Sequence, residues 1–343
     1  MGLEEMRAEL LDQALPIPQR FRALFGLRSV GGDAAVSALL EGLADPSALF
    51  RHEVAFALGQ MQAGAAVGTL KRVLRDEGEH SMVRHEAAEA LGAIASDECL
   101  EALEEAAVGA CQVTRETAAL ALQRLRHAQA ARGAAAAAVA DGAIGSNAKA
   151  DKMLGSAKEK LSAAVDPTVN AGPADHLDAD SPYLSVDPVP AAPASVSTET
   201  LRATVLDEAA DMWDRYGAMF ALRNRGPGPE VAAVLGEVLT SSSSALLKHE
   251  VCYVLGQIQE QGGGAREALR ATLENADEHP MVRHEAAEAI GSIAAVDTEP
   301  LLRKYRQDGD RIVAESCEVA LDIMASEISG EFVPLQTDQA VAV

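Results

Sequence analysis

Four histidine-glutamate doublets stand out in the chain: His52-Glu53, His85-Glu86, His249-Glu250 and His284-Glu285. Together they offer imidazole nitrogen and carboxylate oxygen, with no thiolate. A structural zinc site normally draws on cysteine and four ligands. Calcium and magnesium prefer oxygen alone. Mixed histidine and carboxylate donors with open positions suit non-haem iron, for which two histidines and one carboxylate per ion is a common set. Eight candidate donors are too many for one ion and suit two. Di-iron sites in helical bundles use a similar inventory with a Glu-x-x-His spacing; here the pair is adjacent, so the geometry must differ. The donors alone do not separate iron from manganese, and a hydrolytic two-metal site stays open. HEAAE is not the zincin motif, because its second histidine is missing. GxSxG and P-loop patterns are absent, and any reducing electrons must come from outside the chain.

Helical periodicity sets the direction of these side chains. Val83, Ala87, Ala90, Leu91 and Ile94 form one apolar stripe. At about 100° per residue, His85 lies almost opposite that stripe and Glu86 lies on its flank. Ala88 and Gly92 share the His85 side. The other three segments repeat this frame, with Ala55 and Gly59, Cys252 and Gly256, and Ala287 and Gly291 beside their histidines. The expectation is a face cleared of bulk around each doublet. A lone surface histidine is usually just solvated, but that account does not explain four occurrences in register.

The elements that carry the doublets are repeated. Residues 79–95 and 278–294 agree at 14 of 17 positions, and residues 47–62 and 244–259 at 10 of 16. RFRALFGLR from Arg20 matches RYGAMFALR from Arg215, and ETAALAL from Glu116 matches ESCEVAL from Glu315. Helical segments begin near Pro18, Ala48, Ser81 and Val113, and again near Trp213, Ala245, Pro280 and Ile312. Their spacing of 30 to 33 residues in the first half is that of helix-pair solenoids. MVRHEAAEALGAI resembles the HEAT repeat. The expected fold is therefore all-α: a HEAT-repeat α-solenoid in two duplicated halves of about four helix pairs, facing one another. The expected division is 1–127 for the first half, 128–200 for a flexible low-complexity linker, 201–328 for the second half, and 329–343 for a tail. Inner helices commonly line the concave face, so doublets on two facing surfaces would converge on one site.

The net charge of −23 disfavours nucleic acid and favours cationic partners. The four cysteines form no CxxC, and a reducing, cytoplasmic location is expected. No apolar run reaches the roughly 20 residues of a membrane span, and the N-terminus lacks a secretory signal. A monomer is expected. His80 and His279 precede the second doublet of each half and read as helix-start residues. Glu89 and Glu288, one turn beyond, read as outer partners of the site; Tyr253 reads as a wall.

The doublets in SALFRHEVAFALGQ and PMVRHEAAEAIG, together with RYGAMFALRN, ESCEVAL and DSPYLSVDP from Asp180, resemble the deoxyhypusine hydroxylase family. The resemblance covers both halves. It implies a non-haem di-iron monooxygenase with two Fe2+ ions per chain, O2 as co-substrate and an external reductant. The implied substrate is the deoxyhypusine side chain of translation initiation factor five-A, and the implied product is hypusine. It assigns iron ligation to His52, His85, Glu86, His249, His284 and Glu285, and leaves Glu53 and Glu250 to bind the substrate's ammonium groups. The rival readings are a metal-free HEAT scaffold, a HEAT-like bilin lyase and a di-metal hydrolase.

Overall fold

A computed structural model of the chain describes residues 2–140, 181–259 and 263–330. Its helices alternate outer and inner. The first half contains α1 (Leu3–Leu11), α2 (Ile17–Val30), α3 (Gly32–Gly42), α4 (Ala48–Gln60), α5 (Val67–Arg75), α6 (Ser81–Ile94), α7 (Leu100–Ala106) and α8 (Gln112–Ala140). The second contains α9 (Thr198–Leu206), α10 (Met212–Arg223), α11 (Pro229–Ser241), α12 (Ala245–Ile258), α13 (Gly263–Glu274), α14 (Pro280–Ile293), α15 (Glu299–Tyr305) and α16 (Arg311–Ser329). The described residues thus form eight helix pairs in two groups of four, as the repeats predict. No helix among them is long and apolar enough to cross a membrane.

The inner helices start where a side chain satisfies their free amide groups. Ser47 and Ser244 accept from the amides of Phe50 and Leu247. His80 and His279 accept from those of Met82 and Met281 through Nδ1, which is the helix-start role expected of them. An arginine then joins the two helices of a pair. Arg20, Arg84, Arg215 and Arg283 donate to the carbonyls of Leu10, Leu74, Val205 and Leu273, each ten residues earlier. Those carbonyls lie at the end of the outer helix, where they lack intrahelical partners and the dipole favours a cation.

The small residues do a different job from the one the wheel suggests. A Cβ on Gly59 would lie 2.8 Å from Ala90 Cα, and one on Gly291 would lie 2.6 Å from the Ala320 carbonyl oxygen. These glycines let successive inner helices touch backbone to backbone. They set the distance between neighbouring doublets rather than clearing space around each one.

The halves close on each other by a pseudo-twofold relation. Ser47 donates to Glu315 at 2.6 Å and its counterpart Ser244 to Glu116 at 2.8 Å, each across the seam. Arg22 on α2 forms a two-point pair with Asp322 on α16. His127 on α8 stacks on Trp213 on α10 at 4.7 Å. The α2/α16 and α8/α10 seams are therefore equivalents.

The segment 128–200 departs from the expectation of a flexible linker at both ends. Its start continues helix α8 to Ala140. Residues 181–192 are anchored to both halves: Val186 exchanges two hydrogen bonds with the Gln60 amide, and Arg223 grips Asp187. Residues 141–180 and the tail from 331 lie outside the described residues.

Candidate metal centre

The four histidine rings meet between the halves, with centroids 5.2 to 5.9 Å apart for five of their six pairings. Helices α4, α6, α12 and α14 each contribute one doublet. The wheel places the histidines opposite the apolar stripe, yet they are buried: His52 is 3% exposed and His85 0%. They point away from the core of their own half, and the other half covers them.

Within each half, one carboxylate oxygen stands between two imidazoles. Glu86 Oε2 lies 3.2 Å from His52 Nε2 and 3.5 Å from His85 Nε2. Glu285 Oε2 lies 3.4 Å from His249 Nε2 and 3.9 Å from His284 Nε2. All four Nε2 atoms are buried without a hydrogen-bond partner. An orphaned buried ring nitrogen is costly, and four that converge on carboxylate oxygens have the arrangement a cation would satisfy. His52, His85 and Glu86 present donor atoms within 4.8 Å of one another, as do His284, Glu285 and Glu288. His52, His249 and His284 also form such a group across the seam. The donor set therefore fits metal, with nitrogen and oxygen in the two-histidine, one-carboxylate proportion of non-haem iron.

The rest of the surroundings orient these donors. Thr117 donates its hydroxyl hydrogen to the Val113 carbonyl at 2.9 Å, so its oxygen accepts from His85 Nδ1 at 2.9 Å. The proton is fixed on Nδ1, and the Nε2 lone pair faces the site. Sequence reasoning missed Thr117. Its signal was a hydroxyl residue at the matching position of the other half, Ser316. There the contact is different: His284 Nδ1 faces Glu288 Oε1 at 3.6 Å, and Ser316 Oγ has no hydrogen-bond partner. Glu288 meets the ring nitrogen of His284 remote from the Glu285 carboxylate. Glu53 lies 3.2 Å from Nδ1 of its own neighbour His52.

The electrostatics are those of a crowded acidic pocket. Burial, followed by Glu86, pushes Glu89 up to about 8. Burial raises Glu250 well above the ordinary carboxyl range, and Glu89 and Asp187 add to it. Glu288 is raised likewise by burial and by Glu53. Burial and the neighbouring imidazoles hold His85 and His284 well below the usual value. At His52 burial opposes the charged form, but Glu53 and Glu86 outweigh it and raise the ring well above its usual value. Such a site lacks positive charge.

The doublets open into a cavity of about 740 Å³ lined by Glu53, Glu89, Glu250 and Glu288. Phe56 and Tyr253 meet edge to face on its wall, 6.0 Å apart, so Tyr253 takes the wall position expected of it. Ser185 to Pro188 form another wall. Sequence reasoning gave these four residues no part in the site, although Gln60 and Gln257, which hold them, occupy matching positions in the two halves.

A family model of HEAT repeats matches residues 36–123 and 232–322. Deoxyhypusine hydroxylase-B of Oryza sativa subsp. japonica is 42% identical over 334 residues, covering 96% of each chain. Deoxyhypusine hydroxylase of Danio rerio is 42% identical over 323 residues, covering 94% of this chain and 92% of its own. The structure of human deoxyhypusine hydroxylase in complex with glycerol superposes with a TM-score of 0.76 at 39% identity, covering 94% of this chain and 96% of that one. With the repeats, the paired doublets and these relatives in agreement, the chain belongs to the deoxyhypusine hydroxylase family.

Proposed function

We propose that this protein hydroxylates the deoxyhypusine side chain of translation initiation factor five-A at a di-iron centre held by His52, His85 and Glu86 from one half and His249, His284 and Glu285 from the other. The observation that carries this reading is the duplicated convergence of two orphaned Nε2 atoms on one carboxylate oxygen. When bound, the iron pair supplies the activation of O2 that lets one oxygen atom enter a carbon–hydrogen bond, with an external reductant providing the electrons.

The chain's own residues do the rest. The cavity takes a long, narrow side chain with cationic nitrogens, and its carboxylates replace the water those nitrogens lose. Glu53 and Glu250 flank the metal ligands in sequence and line the cavity, so they hold the substrate's ammonium groups beside the reacting carbon. Phe56 and Tyr253 exclude water from that point. The Thr117 hydroxyl keeps His85 in its ligating tautomer. The surface charge of −23 draws a basic partner toward the cavity. The halves 1–127 and 201–328 act as two domains of one monomeric, cytoplasmic enzyme.

The test is incubation of the purified iron-loaded protein with deoxyhypusine-bearing factor under isotopically labelled O2. Mass spectrometry of the factor is expected to show one added oxygen atom that carries the label. Product whose oxygen derives from water, or turnover without O2, contradicts the reading and favours a hydrolytic metal site.

A further inference from the structure

The pseudo-twofold relation gives the cavity two equivalent sides, yet only one is lined by helices. Residues of α2 and α16, among them Phe25, Arg28, Ser29 and Asp322, line it directly. Their counterparts on α10 and α8 do not appear in its lining, and Ser185 to Pro188 take their place. The matched arginines make the contrast plain. Arg28 reaches the cavity, whereas its counterpart Arg223 is 0% exposed.

Arg223 is buried because the segment lies on it. Its guanidinium holds Asp187 at 2.9 and 2.5 Å, meets Ser181 Oγ at 3.1 Å, and sits 4.5 Å from the centre of the Tyr183 ring. The sequence is adapted to this covering. Gly217 stands where the first half has Arg22, and a Cβ there would come within 3.3 Å of the Pro190 carbonyl oxygen. The Gly217 carbonyl accepts from the Ala192 amide at 2.8 Å. On the α8 side, Arg124 donates to the Asp187 carbonyl.

We propose that residues 183–192 are a fixed strap that closes the α8/α10 side of the cavity, so that the side chain of a protein substrate enters only on the α2/α16 side, past the Arg22–Asp322 pair that lines it, with Arg223 as the positioning residue that holds the strap. The duplication would otherwise leave a symmetric site with two approaches. The strap gives it one, and thereby fixes the side from which the free amine end of the tethered side chain approaches the paired donors. This rests on the cavity being the substrate site.

The test uses iron-loaded protein carrying one bulky substitution at each seam, Ser29→Trp and Gln123→Trp, the latter on α8 at the position that matches Asp322 and facing Asp211 just before α10, with iron content measured for both as a check on the fold. Ser29→Trp is expected to raise KM for the deoxyhypusine-bearing factor about tenfold, and Gln123→Trp to leave it within about twofold. Arg223→Ala is expected to quicken hydrogen exchange at the Val186 and Ala192 amides, and in combination with Ser29→Trp to return KM toward the starting value. Equal rises from the two tryptophans would overturn the strap while leaving the cavity reading intact. No rise from either would overturn the cavity reading and the strap with it. Unchanged exchange in Arg223→Ala would remove Arg223 as the lock.

Discussion

The two halves carry the same metal donors in different surroundings. In the first, His85 leans on a neutral hydroxyl, Thr117, and Glu53 lies against His52. In the second, His284 faces the Glu288 carboxylate, and neither ring nitrogen of His249 has a hydrogen-bond partner. The first-half arginine Arg28 faces the cavity, and its counterpart Arg223 is locked under the strap. Duplication supplies a symmetric set of candidate ligands; divergence of their neighbours makes the two candidate metal positions inequivalent and gives the cavity a direction.

Breaking a ligand should have the largest effect and should be insensitive to this difference. His52→Ala and His249→Ala are each expected to lower turnover on the order of 10³-fold or more, because the residues act as a unit. Steady-state assays with matched circular dichroism check this; substantial activity in either variant would show that its half is dispensable.

The orienting groups should reveal the inequivalence. Thr117→Val is expected to weaken metal binding about 10- to 100-fold, the usual cost of losing an outer hydrogen bond to a ligating histidine. Thr117→Ser should restore it, while Ser316→Ala should leave affinity nearly unchanged, since His284 Nδ1 faces Glu288 rather than the Ser316 hydroxyl. Metal titration of the apoprotein reads all three. Equal losses from Thr117→Val and Ser316→Ala would mean that the halves are held alike.

Much of this was legible in the sequence. The starts of α4, α6, α12 and α14 agree with the expected Ala48, Ser81, Ala245 and Pro280 within the repeat frame, because capping residues and a sustained apolar stripe specify them locally. Convergence of the doublets was legible because two copies of a concave face must meet to bury anything. Burial of the histidines was not, since a helical wheel knows only its own half. The role of Gly59 and Gly291 was misread for the same reason: backbone contact with the next helix is a long-range fact. The strap was hidden in a stretch rich in proline and alanine, where order comes from Arg223, Gln60 and Arg124, remote in sequence. Thr117 lay one repeat beyond the histidine it orients.

Packing between inner helices predicts a moderate effect on stability. Gly291→Ala would press a methyl group against the Ala320 carbonyl and Cα at 2.6 and 2.8 Å. It is expected to cost about 1–3 kcal/mol as overpacking. Gly256→Ala, whose Cβ would meet Ala289 at 3.1 and 3.3 Å, should cost less. Denaturant unfolding with unchanged slope checks the order; the reverse ranking would mean that the repeats relax more readily than their geometry implies.

The smallest effect concerns the arginines that join helix pairs. Arg20 is neutralised by Asp45 in the first half, whereas Ser242 occupies that position in the second and Glu208 supplies the charge. Bonds from Ser243, Arg215 and Ser242 hold Glu208 down at about 2. A depressed carboxyl stabilises the fold above its ordinary value and loses that contribution as pH falls through the folded one. Glu208→Gln should therefore lower the melting temperature slightly at neutral pH, and the difference should fade between pH 4.5 and about 2. A difference that is constant across that window would assign the effect to shape rather than charge.

Iron content of the unmodified protein, His85→Ala and His284→Ala, measured by elemental analysis on folded samples, tests the central claim most directly. Two half-sites, each built from its own two histidines and one glutamate, predict about two irons per chain in the first and about one in each variant. Zinc in place of iron, no metal at all, or full iron in both variants would contradict the account.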